Sequence, residues 1–137
     1  MSGRSAVDER GQSISLFVLL IAAALILTAG LVVDGGQKIS ASSKAEAAAA
    51  GAARAAGNAV ATEALAGSTH MGSAVTAAKA FLAGQPDVYG SVTVKAGVVT
   101  IKTESSAPTI FLSVIGIDSV TAAGSAEANI VATGEER

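Results

Sequence analysis

The sequence predicts an α+β protein: a long N-terminal helix, apolar and then Ala-rich, followed by a small antiparallel three-stranded sheet with short helices. Three features predict it. Residues 14–33 form an uncharged apolar run, 14 of the 26 residues from Ala41 to Ala66 are alanine, and a two-residue periodicity sets in after Gly90. The chain divides accordingly into a cytoplasmic stretch at 1–13, a transmembrane helix at 14–33, an Ala-rich helical extension at 34–67 and a small extracytoplasmic α+β head at 68–137.

Composition narrows the function classes. The 137 residues suffice for one domain with an appended segment. Half are hydrophobic, yet only 3% are aromatic, and mean hydropathy is +0.55. The apolar half therefore comes from Ala and from clustered Val, Ile and Leu. The lack of cysteine excludes a disulfide framework, a cysteine-built zinc site and thiol catalysis. A net charge of −2 offers no basic face for nucleic acid.

The run from Ile14 to Val33, ISLFVLLIAAALILTAGLVV, has only Ser15 and Thr28 as appreciably polar residues. As a helix its 20 residues rise about 30 Å, the thickness of a bilayer's hydrocarbon core. A single run in lipid must be helical, because every backbone amide has to bond within the segment. A buried core helix is the soluble alternative, but so short a chain has little material to wrap one. Arg4 and Arg10, diluted by Asp8 and Glu9, precede the run, and Lys38 and Lys44 follow it. Flanking charge is thus nearly balanced, and the short arginine-bearing head favours a cytoplasmic N-terminus. A cleaved secretory signal is the competing reading, with a small-residue site at Thr28-Ala29-Gly30; the apolar Leu31-Val32-Val33 beyond it argues against cleavage there.

After Asp34-Gly35-Gly36 the Ala-rich stretch carries spaced charges at Lys44, Glu46, Arg54 and Glu63. Alanine is the best intrinsic helix former, so the stretch reads as helix rather than disorder. Gly51 and Gly57 weaken it, and the Gly35-Gly36 pair is a place for a kink or a loose junction. Small side chains let backbones approach closely, which suits packing against copies of the chain or partner helices. Asp34, Gly35, Gly36 and Gly51 are the candidate helix-packing and interface residues.

The C-terminal module begins with an amphipathic helix, its apolar positions Met71, Val75, Ala78 and Leu82 joined by Phe81. Ser68 or Thr69 is placed to cap its start, and Gly84 with Pro86 ends it. In SVTVKAGVVTIKT, an Ala96-Gly97 turn would pair Val94 with Val99 and Val92 with Ile101 on one face. Thr93 with Thr100 and Ser91 with Lys102 would fall on the other, as a half-buried hairpin requires. The apolar stretch Pro108–Gly116 reads as a short helix or turn lidding the sheet, with Gly116 as its C-cap. From Val120 the even positions Val120, Ala122, Ala126, Ala128 and Ile130 are apolar, while Thr121, Ser125, Glu127 and Asn129 are polar, a third strand.

No catalytic, cofactor-binding or metal-binding residue is expected. His70 is the sole histidine and has no second imidazole with which to share a metal. Asp34 ends the apolar run; an interfacial residue is its plain account and a contact with a neighbour's amine its functional one. Glu104, Asp118, Glu127, Glu135 and Glu136 are scattered without a pairing that suits acid–base work. Gly35-Gly36 lacks the flanking residues of a phosphate loop.

Several strings together resemble the TadE/TadG-like proteins of tight-adherence (Flp) pilus assembly. They are Asp8-Glu-Arg-Gly-Gln-Ser-Ile-Ser-Leu-Phe, the apolar helix, Ala29-Gly-Leu-Val-Val-Asp-Gly-Gly36 and the Ala tract Ala47–Ala56. The stretch Ala107–Ile117 followed by a Thr/Ala strand is similar to the short, actinobacterial-type members. The resemblance implies a pilin-like fold and a minor pilin-like or accessory component of a pilus or secretion system. It also implies an inner-membrane anchor, an exported head, and pilin-like or Tad-type assembly proteins as partners, with self-association among them. Some relatives are prepilins cut after a Gly that is followed five residues later by Glu. Gly11 is the matching cleavage candidate here, but Leu16 stands where the Glu would be. Its absence favours a permanently anchored assembly factor over a polymerising subunit.

Overall fold

A computed structural model describes residues 8–68 and 70–130. Residues 1–7 of the N-terminal stretch, the Thr69 cap, and Glu135 and Glu136 lie outside them. Helix α1 runs unbroken from Asp8 to Leu65, 58 residues or about 87 Å. Its positions 11–29 are all exposed, and its buried positions begin at Gly30. From there Asp34, Ala41, Ala45, Ala48, Ala52, Ala56 and Val60 recur at helical spacing and form one stripe of mostly small side chains. The Gly35-Gly36 pair, expected to kink or loosen the helix, remains helical.

The stripe is covered by the chain's own head rather than left open for a copy or a partner helix. Helix α2 (Met71–Ala83) lies against it, as does a sheet of β1 (Val88–Lys95), β2 (Val98–Pro108) and β3 (Ser119–Asn129). The strands are antiparallel in the order β1-β2-β3. The hairpin has the expected register, Val94 opposite Val99 and Val92 opposite Ile101. Its turn holds both central residues at positive φ, Ala96 at 50° and Gly97 at 78°, the geometry that matches strand twist.

Strand β2 runs antiparallel to α1. Thr103 donates its hydroxyl to the Ala45 carbonyl at 2.7 Å, while the amide of Ile110 meets Asp34. The extended stretch 98–110 covers about 40 Å at 3.4 Å per residue, matching the roughly 39 Å of helix between Asp34 and Val60. Sheet and helix are therefore commensurate, and one end of the sheet is brought to the end of the apolar run.

Close approach is the rule along this interface. A Cβ at Gly124 would lie 2.5 Å from the backbone of Ala45 and Glu46, and one at Gly51 would lie 2.3 Å from the Phe81 ring. The core gathers at the far end, where Ala48, Ala52, Ala56 and Val60 meet Ala74, Ala78, Leu82, Val99, Ile101 and Ile130. Val99 and Ile101 are its largest fully buried side chains with Ser105, so the core is thin.

Three local expectations need correction. The buried face of α2 is Ala74, Ala78 and Leu82, with Met71 exposed at its edge; two alanines and Leu82 join the Ala-lined core. Ser68 does not cap α2; His70 holds the cap position without a side-chain bond, and its N–H donates to Glu63 at 3.0 Å. The stretch after Pro108 does form a short 3-10 turn, Leu112–Ile115, closed by left-handed Gly116. Yet none of residues 110–117 joins the core, so the turn does not lid the sheet.

The His70 amide, with help from the Ser73 hydroxyl and the His70 ring, holds the Glu63 carboxyl below its ordinary value against the opposing effect of burial. The tie between α1 and α2 is thus complete above the usual glutamate range and is lost as pH falls through the lowered value. Amide exchange at His70 should quicken on that acid side while exchange in β2 stays slow. Two substitutions separate packing from propensity. Gly124→Ala has backbone on the other side and should cost about 1–3 kcal/mol. Gly57→Ala, with open space at its Cβ, should add about 0.5–1 kcal/mol. Unfolding in detergent micelles reads both.

Candidate helix–head docking site

The candidate interface residue Asp34 is 3% exposed, and its partners are 76 to 78 residues away in sequence. Its carboxylate accepts the backbone N–H of Ile110 (2.8 Å, Oδ1), of Phe111 (3.1 Å, Oδ2) and of Leu112 (2.7 Å, Oδ2). Phe111 and Leu112 are the N-cap and first residue of the 3-10 turn Leu112–Ile115, whose amides a helical start leaves unpaired, and Ile110 immediately precedes them. Three converging donors form a small anion-binding concavity, and an ionised carboxylate is the group that fills it best. The plain reading of Asp34 as an interfacial residue thus gains a structural role: it fastens the head to α1 immediately beyond residue 33.

Neighbouring contacts extend the fastening in both directions. One turn earlier, Phe111 lies on Gly30, where a Cβ would come within 2.7–2.9 Å of its side chain. One turn later, Lys38 donates to the Thr121 carbonyl. The loop is also tied across its base, the Thr109 amide to the Asp118 carbonyl at 3.0 Å and the Thr109 hydroxyl to the Ile117 carbonyl.

The other candidates fall in different places. Gly51 sits under Phe81, an internal contact between α1 and α2. Gly35 is half-buried, Gly36 is exposed, and both have open space where a Cβ would stand. Gly11 is exposed with nothing near its Cα substituent position. Gly30, Phe111, Lys38 and Gly124 were not singled out from sequence as residues of a helix–head contact. A glycine in an apolar helix reads only as a weak helix former, and its partner lies on a distant segment. Among the described residues, no group of three or more His, Asp or Glu side chains could hold a metal ion. Among them, α1 is the one helix long and apolar enough to cross a membrane.

Removing the carboxylate should release the turn. In Asp34→Ala the three amides lose their acceptor. In Asp34→Asn the side chain would present a donor to donors at one of its two positions. Hydrogen exchange at residues 110–112 should accelerate strongly in both variants, while the Val92–Ile101 part of the hairpin keeps its protection.

Residues 11–63, nearly all of α1 beyond its first turn, match the family model described as "Putative Flp pilus-assembly TadE/G-like". No curated protein and no solved structure matches the chain. The matched stretch holds the apolar run, Asp34 and most of the stripe on which the head rests. Over residues 11–63, the long helix of this chain is thus similar to the TadE/G-like family of Flp pilus assembly.

Proposed function

We propose that this chain is a non-enzymatic, single-pass membrane protein serving as a pilin-like component of a Tad/Flp pilus-assembly or secretion apparatus. Residues 14–33 span the membrane, residues 1–13 stay in the cytoplasm, and the head at 68–137 faces outside. One observation carries the reading: within a TadE/G-like helix, Leu16, Leu19, Leu20, Leu25, Ile26 and Leu27 are each at least 59% exposed. An apolar surface of that extent needs a hydrocarbon environment or protein partners.

The Ala stripe is already used by the head, so assembly partners meet other surfaces, the span above all. These partners are pilin-like or Tad-type proteins, other copies of this chain included. Gly11 is exposed on α1 and is the candidate processing position, while Leu16 in place of a carboxylate favours a permanently anchored factor.

Intact mass of the native protein, recovered separately from membranes and medium, tests the reading. The expected species is membrane-bound and retains residues 14–33, with protease added outside digesting the head and sparing the N-terminus. Loss of the first eleven residues would add processing at Gly11. A secreted species beginning near Leu31 would overturn the anchor and make the run a signal cleaved near Gly30.

A further inference from the structure

The turn that Asp34 holds reads Ile110-Phe-Leu-Ser-Val-Ile-Gly-Ile117, without a charge. Five of its large apolar side chains are exposed: Val114 by 83%, Ile115 by 71%, Ile110 by 56%, Ile117 by 45% and Phe111 by 38%. Beyond the apolar run, the other large apolar residues exposed among the described ones, Ile39, Leu65, Met71, Phe81, Tyr89 and Val94, are spread along the sequence. This crowded tip is different, and its position indicates what covers it.

Phe111 lies on Gly30, three residues before the end of the 14–33 run and so about 4.5 Å inside it. Between turn and helix runs a groove of about 670 Å³ lined mostly by apolar residues, Ile26, Leu27, Leu31 and Val114 among them, with Asp34 and Lys38 also on its wall. Ile26 is about 10 Å inside the run. The turn also pairs most of its backbone donors within the molecule. Its amides at 110, 111 and 112 are taken by Asp34, and those at 114, 116 and 117 by carbonyls of the turn itself. The Ser113 hydroxyl donates to the Ile110 carbonyl at 2.6 Å. Pairing of backbone groups lowers the cost of bringing them into hydrocarbon.

We propose that residues 110–117 are a second membrane anchor, a wedge that sits in the outer half of the bilayer beside α1, with lipid acyl chains covering its tip and filling the groove. This rests on the reading that residues 14–33 span the membrane. The depth of 5–10 Å is that of elements lying in the interfacial plane. Asp34 then does two things at once: it fastens the head and removes three amides from the cost of insertion.

The chain has no cysteine, so single sites can be labelled cleanly in the full-length protein. An environment-sensitive fluorophore is attached through Val114→Cys, Leu20→Cys in the span, or Thr93→Cys on the exposed sheet. Each protein is reconstituted into phosphatidylcholine–phosphatidylglycerol vesicles. Quenching by lipids spin-labelled high on the acyl chain is compared with quenching by aqueous iodide. The expected result is lipid quenching at positions 114 and 20, and iodide quenching at 93. Iodide quenching at 114 with lipid quenching at 20 overturns the wedge and leaves the anchor standing. Iodide quenching at 20 overturns both. If position 114 escapes both quenchers and becomes accessible to iodide when protein is diluted in lipid, its cover is a second copy and the wedge is wrong.

Discussion

Everything in this fold depends on how closely a sheet can approach an alanine helix. An alanine side chain offers one methyl group, so a helix built from them gains little from any single contact and must gain from many. The interface meets that constraint by length and by proximity. Contacts extend from Gly30 to Val60, and the facing strand β3 places Gly124 directly against the backbone at Ala45. At that distance the Thr103 hydroxyl reaches the Ala45 carbonyl, which is otherwise committed only to the helix ladder. Larger residues on either side would hold the layers apart and lose both the dispersion contacts and this bond.

The second constraint is the placement of polar groups where the helix leaves its apolar run. A turn of eight uncharged residues brings its backbone amides to α1, and a carboxylate at position 34 accepts three of them. The site thus joins two parts of the chain by main-chain hydrogen bonds. Side chains on the turn are left free to be chosen for apolarity. Lys38, one turn further along, takes a carbonyl from β3 and completes the transition from apolar to polar surroundings.

The legible parts of the molecule were the local ones. The pairing of Val92 with Ile101 follows from alternation about a two-residue turn, and the long helix follows from an apolar run continued by alanine. What escaped was contact at a distance. Nothing near Asp34 in sequence marks Ile110–Leu112 as its partners, since amides are common to every residue. The same limit misplaced the turn after Pro108. Its apolarity signals burial in something, and the sheet was the nearest candidate, but the turn reaches past the sheet to Gly30. The small side chains of the Ala-rich stretch signalled close packing but not its occupant; the sequence pointed to copies or partner helices, whereas the chain's own strand carrying Ala122, Gly124 and Ala126 lies there.

Continuity of α1 through Gly35 and Gly36 has a mechanical consequence. Two adjacent glycines are the most compliant point of a long helix, and here they lie between Asp34 and Lys38, both of which grip the head. The head therefore splints the helix across its softest joint. With the splint in place the two halves turn as one shaft, and any roll of the apolar half about its own axis swings the head through the same angle.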